Sequence, residues 1–267
     1  MKRVRRVGSL LFMVGYLFMV GCAQAPETAV ATPAFESCVL TNGRSAQCGT
    51  VTVPENYDAA DGRQLEIHYA IIPAESSRPQ PDPVFMLAGG PGQAATEAFP
   101  VLLSVFGDLN QSRDIVLVDQ RGTGKSAPLA CPQILELPLD TTAEELLISL
   151  DECRQNLADE ADLTQYITAI AMRDLDAVRE ELGYDVVNLV GVSYGSRAAQ
   201  VYMQLYPERV RTAVMDAVTS PELVLQLQAP ADGQRALDML FARCAADDAC
   251  AEAFPNFEAD FWQVVDA

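Results

Sequence analysis

Apolar residues gather along this chain in short runs separated by clusters of Gly, Pro and Asp, and the runs change character from one third of the chain to the next. Gly49-Thr50-Val51-Thr52-Val53 predicts a strand ended by Pro54. Leu65 to Ile72 alternates and predicts a second strand, paired with the first across a turn at Asp58 to Gly62. Val84-Phe85-Met86-Leu87 and Ile115-Val116-Leu117-Val118 are unbroken apolar runs, as expected of strands covered on both faces. Ile170, Leu175, Val178 and Leu182 then fall at helical spacing, and Gly183 stops that helix. Val186 to Val190 reads as another buried strand, Arg197 to Tyr206 as a helix closed by Pro207, and Thr212 to Met215 as one more strand. From Glu222 the strands cease, and Leu223 to Leu227, Gln234 to Cys244 and Phe257 to Val265 carry helical spacing. Opening antiparallel strands followed by alternating strand and helix predict an α/β fold, a mostly parallel sheet with helices on both faces. That core occupies residues 34–221, and residues 222–267 begin a helical layer inserted over it.

The first 33 residues follow different rules. Lys2, Arg3, Arg5 and Arg6 precede an apolar stretch from Val7 to Val20 that is too short for an ordinary membrane span. Met19-Val20-Gly21-Cys22 resembles a bacterial lipobox, with Met19 where Leu is usual, and predicts a signal peptide over 1–22 with lipid on Cys22. The alternative is an ordinary signal peptide cut near Ala23 or Ala25. Residues 23–33, rich in Ala, Pro and Thr, suit a flexible tether. The chain is accordingly expected to be exported and anchored by lipid to a bacterial membrane, in the periplasm or at the cell surface.

Cysteine usage agrees with an oxidising compartment. Seven Cys are present; lipid on Cys22 leaves six, for which three disulfides have 15 possible connectivities. Local spacing favours Cys38–Cys48, Cys131–Cys153 and Cys244–Cys250. With one histidine and no C-x-x-C pair there is no metal-ligand set, so neither metal nor cofactor is expected. A formal charge of −19 argues against a nucleic-acid partner.

Three segments carry candidate chemistry. Gly191-Val192-Ser193-Tyr194-Gly195 lies between a predicted buried strand and a predicted helix, the context that makes G-x-S-x-G a nucleophile elbow. Ser193 is the candidate nucleophile, and the backbone N–H of Tyr194 faces a developing oxyanion; the competing reading is a tight turn whose Ser merely caps the helix. Ala88-Gly89-Gly90-Pro91-Gly92 directly follows a buried strand, and Gly90 is the candidate for the second oxyanion donor. Gly90, Gly92 and Ala95 also fit G-x-G-x-x-A, but Pro91 disturbs that turn and no ribose-binding acid follows at a strand end. In Asp119-Gln120-Arg121-Gly122-Thr123-Gly124-Lys125-Ser126 the last three residues suggest a phosphate loop, yet Asp119 stands where its first Gly is required. Asp119 and Arg121 are instead read as structural, holding the loop that shapes the pocket floor.

These three segments, in this order and spacing, resemble the proline iminopeptidase and tripeptidyl aminopeptidase group of α/β-hydrolases, with the secreted tripeptidyl aminopeptidase-like branch nearest. The resemblance covers roughly Cys38 to Pro255 and extends to Cys131, Cys153, Cys244 and Cys250. It implies the α/β-hydrolase fold and an exported serine exopeptidase acting on peptide N-termini, with a helical cap starting near Glu222. Ala88 stands where many proline iminopeptidases have His.

A Ser nucleophile also needs a base. In this fold the triad acid and His follow the nucleophile in the chain, and no His follows Ser193. The one histidine, His68, lies on the second predicted strand, on the wrong side of the chain order; Asp216 is where a displaced acid would stand. The triad acid and His are therefore expected to be absent and the chain to be the N-terminal part of a serine aminopeptidase, incomplete at its C-terminus. Two alternatives stay open: an inactive hydrolase-fold lipoprotein that binds or scaffolds, and an esterase or amidase of the same fold. The expected partners are a peptide or a small amide or ester substrate and, through Cys22, a membrane.

Overall fold

Val84–Leu87 and Ile115–Val118 have no polar face, so they need cover on both sides, and they take the middle of a seven-stranded sheet. The strands are β1 (Glu36–Val39), β2 (Ser45–Pro54), β3 (Gln64–Ile72), β4 (Val84–Leu87), β5 (Ile115–Val118), β6 (Val187–Val192) and β7 (Val210–Asp216). They lie in the order β1-β2-β3-β5-β4-β6-β7. β1 to β3 are antiparallel, and β5, β4, β6 and β7 are parallel to one another. This computed structural model describes residues 35–266. The signal peptide over 1–22, the lipid site at Cys22 and the tether over 23–33 lie outside the described residues.

Helices cover both faces. On one side α5 (Thr168–Glu181) and α6 (Tyr194–Leu205) bring Met172, Leu175, Val178 and Tyr202 against Ile67, Tyr69, Phe85, Val116 and Leu189. On the other, α1 (Ala95–Ala98) and α2 (Leu103–Asn110) bring Ala95, Phe99 and Leu103 against Ile72, Met86, Leu117 and Val190. The sheet is the two-sided one that the apolar runs predict. At its far edge, by contrast, β7 leaves Val214 and Met215 exposed.

Several elements differ from the sequence expectation. β1 was not foreseen; it folds back on β2, and the Cys38–Cys48 bond joins the two strands. Two helices, α3 (Pro132–Leu135) and α4 (Ala143–Glu160), follow β5, joined by Cys131–Cys153. α4 opens on a capping box: Glu145 N–H donates to Thr142 Oγ1, and Thr142 N–H donates to Glu145 Oε2. α6 starts at Tyr194 rather than Arg197, because the turn at Ser193 passes straight into it. α7 (Leu225–Ala246) runs through Pro230 and Gly233, where the sequence implied a break. α8 (Asp248–Ala253) and α9 (Phe257–Val265) pack with it around Phe241, whose ring meets those of Phe257, Phe261 and Trp262 edge-on. Cys244–Cys250 ties α7 to α8.

The tightest approach in the sheet is at the start of α6. A Cβ on Gly195 would fall on the carbonyl oxygen of Leu87 and close to that of Ala88, both backbone atoms that cannot swing aside. Gly195→Ala is therefore expected to destabilise the protein by about 3 kcal/mol or to prevent folding. Gly233→Ala, where a Cβ meets nothing within 4 Å, is expected to be neutral or to stabilise α7 by up to ~1 kcal/mol. Chemical unfolding of the two variants side by side checks the contrast.

Candidate active site

Ser193 sits between β6 and α6 with φ 56° and ψ −121°, a conformation that L residues occupy only under constraint. The constraint is visible on both sides. Its N–H donates to the Asp216 carbonyl at 2.9 Å. Its carbonyl accepts the Ser196 N–H at 2.9 Å and the Ser196 hydroxyl at 2.6 Å. Ser196 Oγ in turn accepts the Thr219 N–H. A helix-capping Ser would adopt extended backbone angles and accept an N–H from the first turn. Ser193 does neither, and its hydroxyl has no hydrogen-bond partner among the described residues. The capping alternative is thereby removed.

The loop after β4 lies directly against this turn: a Cβ on Gly89 would stand 3.3 Å from Ser193 Cβ. Gly90 has φ 102° and precedes Pro91 through a cis peptide bond. The Gly90 N–H finds no acceptor among the described residues, and nor does that of Tyr194, the first residue of α6. Unpaired backbone donors beside an unpaired hydroxyl, one of them at a helix N-terminus, are what an oxyanion site requires.

Asp119, at the end of β5, secures this loop from below. It is wholly buried and accepts the Thr96 N–H at 3.0 Å, the Thr96 hydroxyl at 2.9 Å and the Lys125 N–H at 3.2 Å. Burial by itself would raise its pKa, but the adjoining His68 imidazole and these donors outweigh that and hold the carboxyl below the ordinary carboxylate range. Gly124 passes so close to the carboxylate that a Cβ there would strike it.

Arg121, two residues on, is 4% exposed and fully committed. Nε and Nη2 donate to the two oxygens of Asp174 at 2.6 and 2.7 Å. Nη1 reaches the carbonyls of Glu55 at 2.7 Å and Gln165 at 3.2 Å, and Nη2 also reaches that of Pro54 at 3.3 Å. Asp119 and Arg121 both lie buried beneath the loops that line the elbow, with every polar atom of the Arg121 guanidinium engaged. Sequence reasoning missed their partners Thr96 and Asp174, which no short motif marks.

His68 is buried rather than on the surface, and its Nδ1 lies 3.4 Å from Asp119 Oδ2 without hydrogen-bond geometry. β3 and β6 are separated by β5 and β4, three strand spacings or about 14 Å, so His68 is out of reach of Ser193. Among the described residues no side-chain base is hydrogen-bonded to Ser193, and no cluster of three or more His, Cys, Asp or Glu could hold a metal.

Residues 82–252 match the family model described as alpha/beta hydrolase fold. The chain belongs to the alpha/beta hydrolase fold family. It is 32% identical over 192 residues to a tripeptidyl aminopeptidase of Streptomyces lividans, covering 66% of this chain and 36% of that protein. It is 28% identical over 231 residues to a serine protease of Mycobacterium tuberculosis, covering 77% of this chain and 42% of that protein. Among solved structures, the proline iminopeptidase of Mycobacterium smegmatis is 19% identical with a TM-score of 0.39, over 62% of this chain and 42% of that one. The chain thus spans well under half the length of the two relatives.

A cavity of about 290 Å³ opens beside the elbow, between Gly89, Pro91 to Gln93, Gln120 to Thr123, Tyr166 and Tyr194. A larger one, about 930 Å³, lies among α7 to α9 around Phe241 and Trp262, away from Ser193 and the loop after β4. The smaller cavity is the one that adjoins the chemistry.

The support from Asp119 has a defined pH signature. Its folded pKa is depressed below that of an ordinary aspartate, so its contribution is present above the ordinary value and is lost as pH falls through the lower, folded one. Asp119→Asn is expected to cost on the order of 2 kcal/mol at pH 7. The gap between the two proteins should close as pH falls below about 4. Urea unfolding of both proteins from pH 7 to pH 3 measures it.

Proposed function

We propose that this chain carries the nucleophile and the oxyanion site of an exported serine aminopeptidase that releases short N-terminal fragments from peptides. The observation that carries the reading is the unpartnered Ser193 hydroxyl, held at positive φ next to the unpaired N–H of Tyr194, with the unpaired N–H of Gly90 on the loop that packs against the same turn through Gly89. In the proposed step Ser193 Oγ attacks the scissile carbonyl, its proton passes to a general base, and the two N–H groups stabilise the resulting oxyanion. The base is not among the described residues, and the reading assigns it to polypeptide equivalent to the portion of the relatives that this chain does not span. Loss of a base leaves only binding and oxyanion stabilisation, so this chain on its own is expected to turn over slowly.

The names of the tripeptidyl aminopeptidase and serine protease relatives support a peptide rather than a simple ester as substrate. Export is supported by the basic and apolar N-terminal residues and by the three disulfides, and a lipid anchor by the Met19-Val20-Gly21-Cys22 stretch. No described helix is long and apolar enough to cross a membrane.

A fluorophosphonate reporter is expected to label Ser193 of the wild-type chain and to leave Ser193→Ala unlabelled. In the same preparation, tripeptide amides with a free amine should be cleaved in preference to amino-blocked ones. Absence of label after prolonged exposure would favour the inactive, binding-only reading of the fold. Labelling accompanied by ester hydrolysis alone would favour the esterase.

A further inference from the structure

The cavity of about 290 Å³ next to the elbow, lined by Gly89 and Tyr194 on either side of Ser193, has room for a substrate side chain. Its lining offers no free charge. The one charged residue in it, Arg121, has five N–H donors, and these meet five acceptors: both Asp174 oxygens and the carbonyls of Glu55, Gln165 and Pro54. Its guanidinium cannot turn to a substrate carboxylate without leaving Asp174 buried and unpaired.

The two tyrosines of the lining are also committed. Tyr166 donates its hydroxyl to Glu55, and Tyr194 shares a 2.9 Å hydrogen bond with Thr168 Oγ1. Burial and the nearby Glu55 push the Tyr166 pKa up to about 12, so its phenol stays neutral. With both hydroxyls spent elsewhere, the rings join Leu129, Ile167 and Ala171 in an apolar wall, and Gln93, Gln120 and Thr123 are the neutral polar members of the lining.

We infer that this cavity is the subsite for a single uncharged, apolar side chain, that of the residue bearing the scissile carbonyl, and that Leu129 and Ile167 set its preference. Tyr194 links the two sites, since its backbone N–H faces the oxyanion and its side chain forms part of the cavity wall. The inference rests on the reading of Ser193 as the nucleophile for peptide substrates. A carboxylate or ammonium entering here would lose its hydration and meet only the neutral amides of Gln93 and Gln120, with no opposite charge to pair with.

The test is binding, which needs no turnover. The intact chain, with Ile and Leu methyl groups labelled, is titrated by NMR with the N-acetyl methylamides of leucine, lysine and glutamate, which differ only in the side chain. The leucine compound is expected to shift the Leu129 and Ile167 methyl signals and to bind about tenfold or more tightly than either charged one. Leu129→Glu, at a half-buried position, should abolish the preference for leucine and strengthen lysine binding. Ile167→Glu, at an exposed position, makes the same test should the first variant not fold, which its methyl spectrum reports. Equal or tighter binding of the charged compounds would overturn the inference. So would shifts confined to other methyl groups, or no binding up to the solubility limit. Fluorophosphonate labelling of Ser193 in the same preparation reports the nucleophile separately, so an unreactive Ser193 and a misassigned cavity give different results.

Discussion

Leu87 ends β4 where the first turn of α6 passes over it, and the gap between them leaves no room for a side chain. Gly195 fills one side of that contact, and Gly191 fills the matching place on β6, where a Cβ would strike the Gly195 carbonyl. Two strands and a helix therefore converge on a point that only glycine can occupy. The convergence forces the intervening Ser193 into its positive-φ conformation and turns its hydroxyl away from any capping role. It also brings the loop after β4 to within van der Waals distance of the Ser193 side chain. The candidate nucleophile, the candidate oxyanion donors and the adjoining cavity all meet at this packing.

The strain held at Ser193 needs a rigid surround. Asp119 supplies part of it by gathering backbone and side-chain donors from α1 and from the turn that follows β5. Arg121 supplies the rest by joining Asp174 on α5 to carbonyls at the end of β2 and in the segment before α5. A buried ion pair of this kind is weak evidence for stability in itself. Its effect here is positional: it fixes the floor of the cavity and removes a charge from it. Removing one partner would leave the other unpaired in the interior, a cost of about 3–5 kcal/mol.

Much of this was legible in the sequence, for identifiable reasons. The central strands are short apolar runs with no competing period, and β4 and β5 fall where the pattern puts them. The elbow and the glycine loop are local motifs whose chemistry depends on backbone geometry, which glycine and proline spell out. The three disulfides join cysteines close in sequence, so spacing was informative. What was not legible is long-range or conformationally ambiguous. β1 has few apolar residues and is held by its partner strand and a disulfide. α4 is mostly exposed, so its apolar spacing is weak, although Thr142 and Glu145 announce its start. The burial of His68 depends on distant segments: Ser126 Oγ accepts its backbone N–H, and the Asp119 N–H donates to its carbonyl. Thr96 and Asp174 acquire their roles only when the sheet brings distant segments together.

The central claim is that Ser193, Gly90 and Tyr194 form one preorganised acyl-transfer site. A crystal structure of the chain carrying a phosphonate on Ser193 Oγ tests it most directly. The account requires one phosphoryl oxygen to lie about 2.7–3.1 Å from both the Gly90 and the Tyr194 nitrogen, with Ser193 keeping its positive φ. An adduct whose oxygens point to solvent, or whose formation relaxes Ser193 into an ordinary helix-cap conformation, would contradict it.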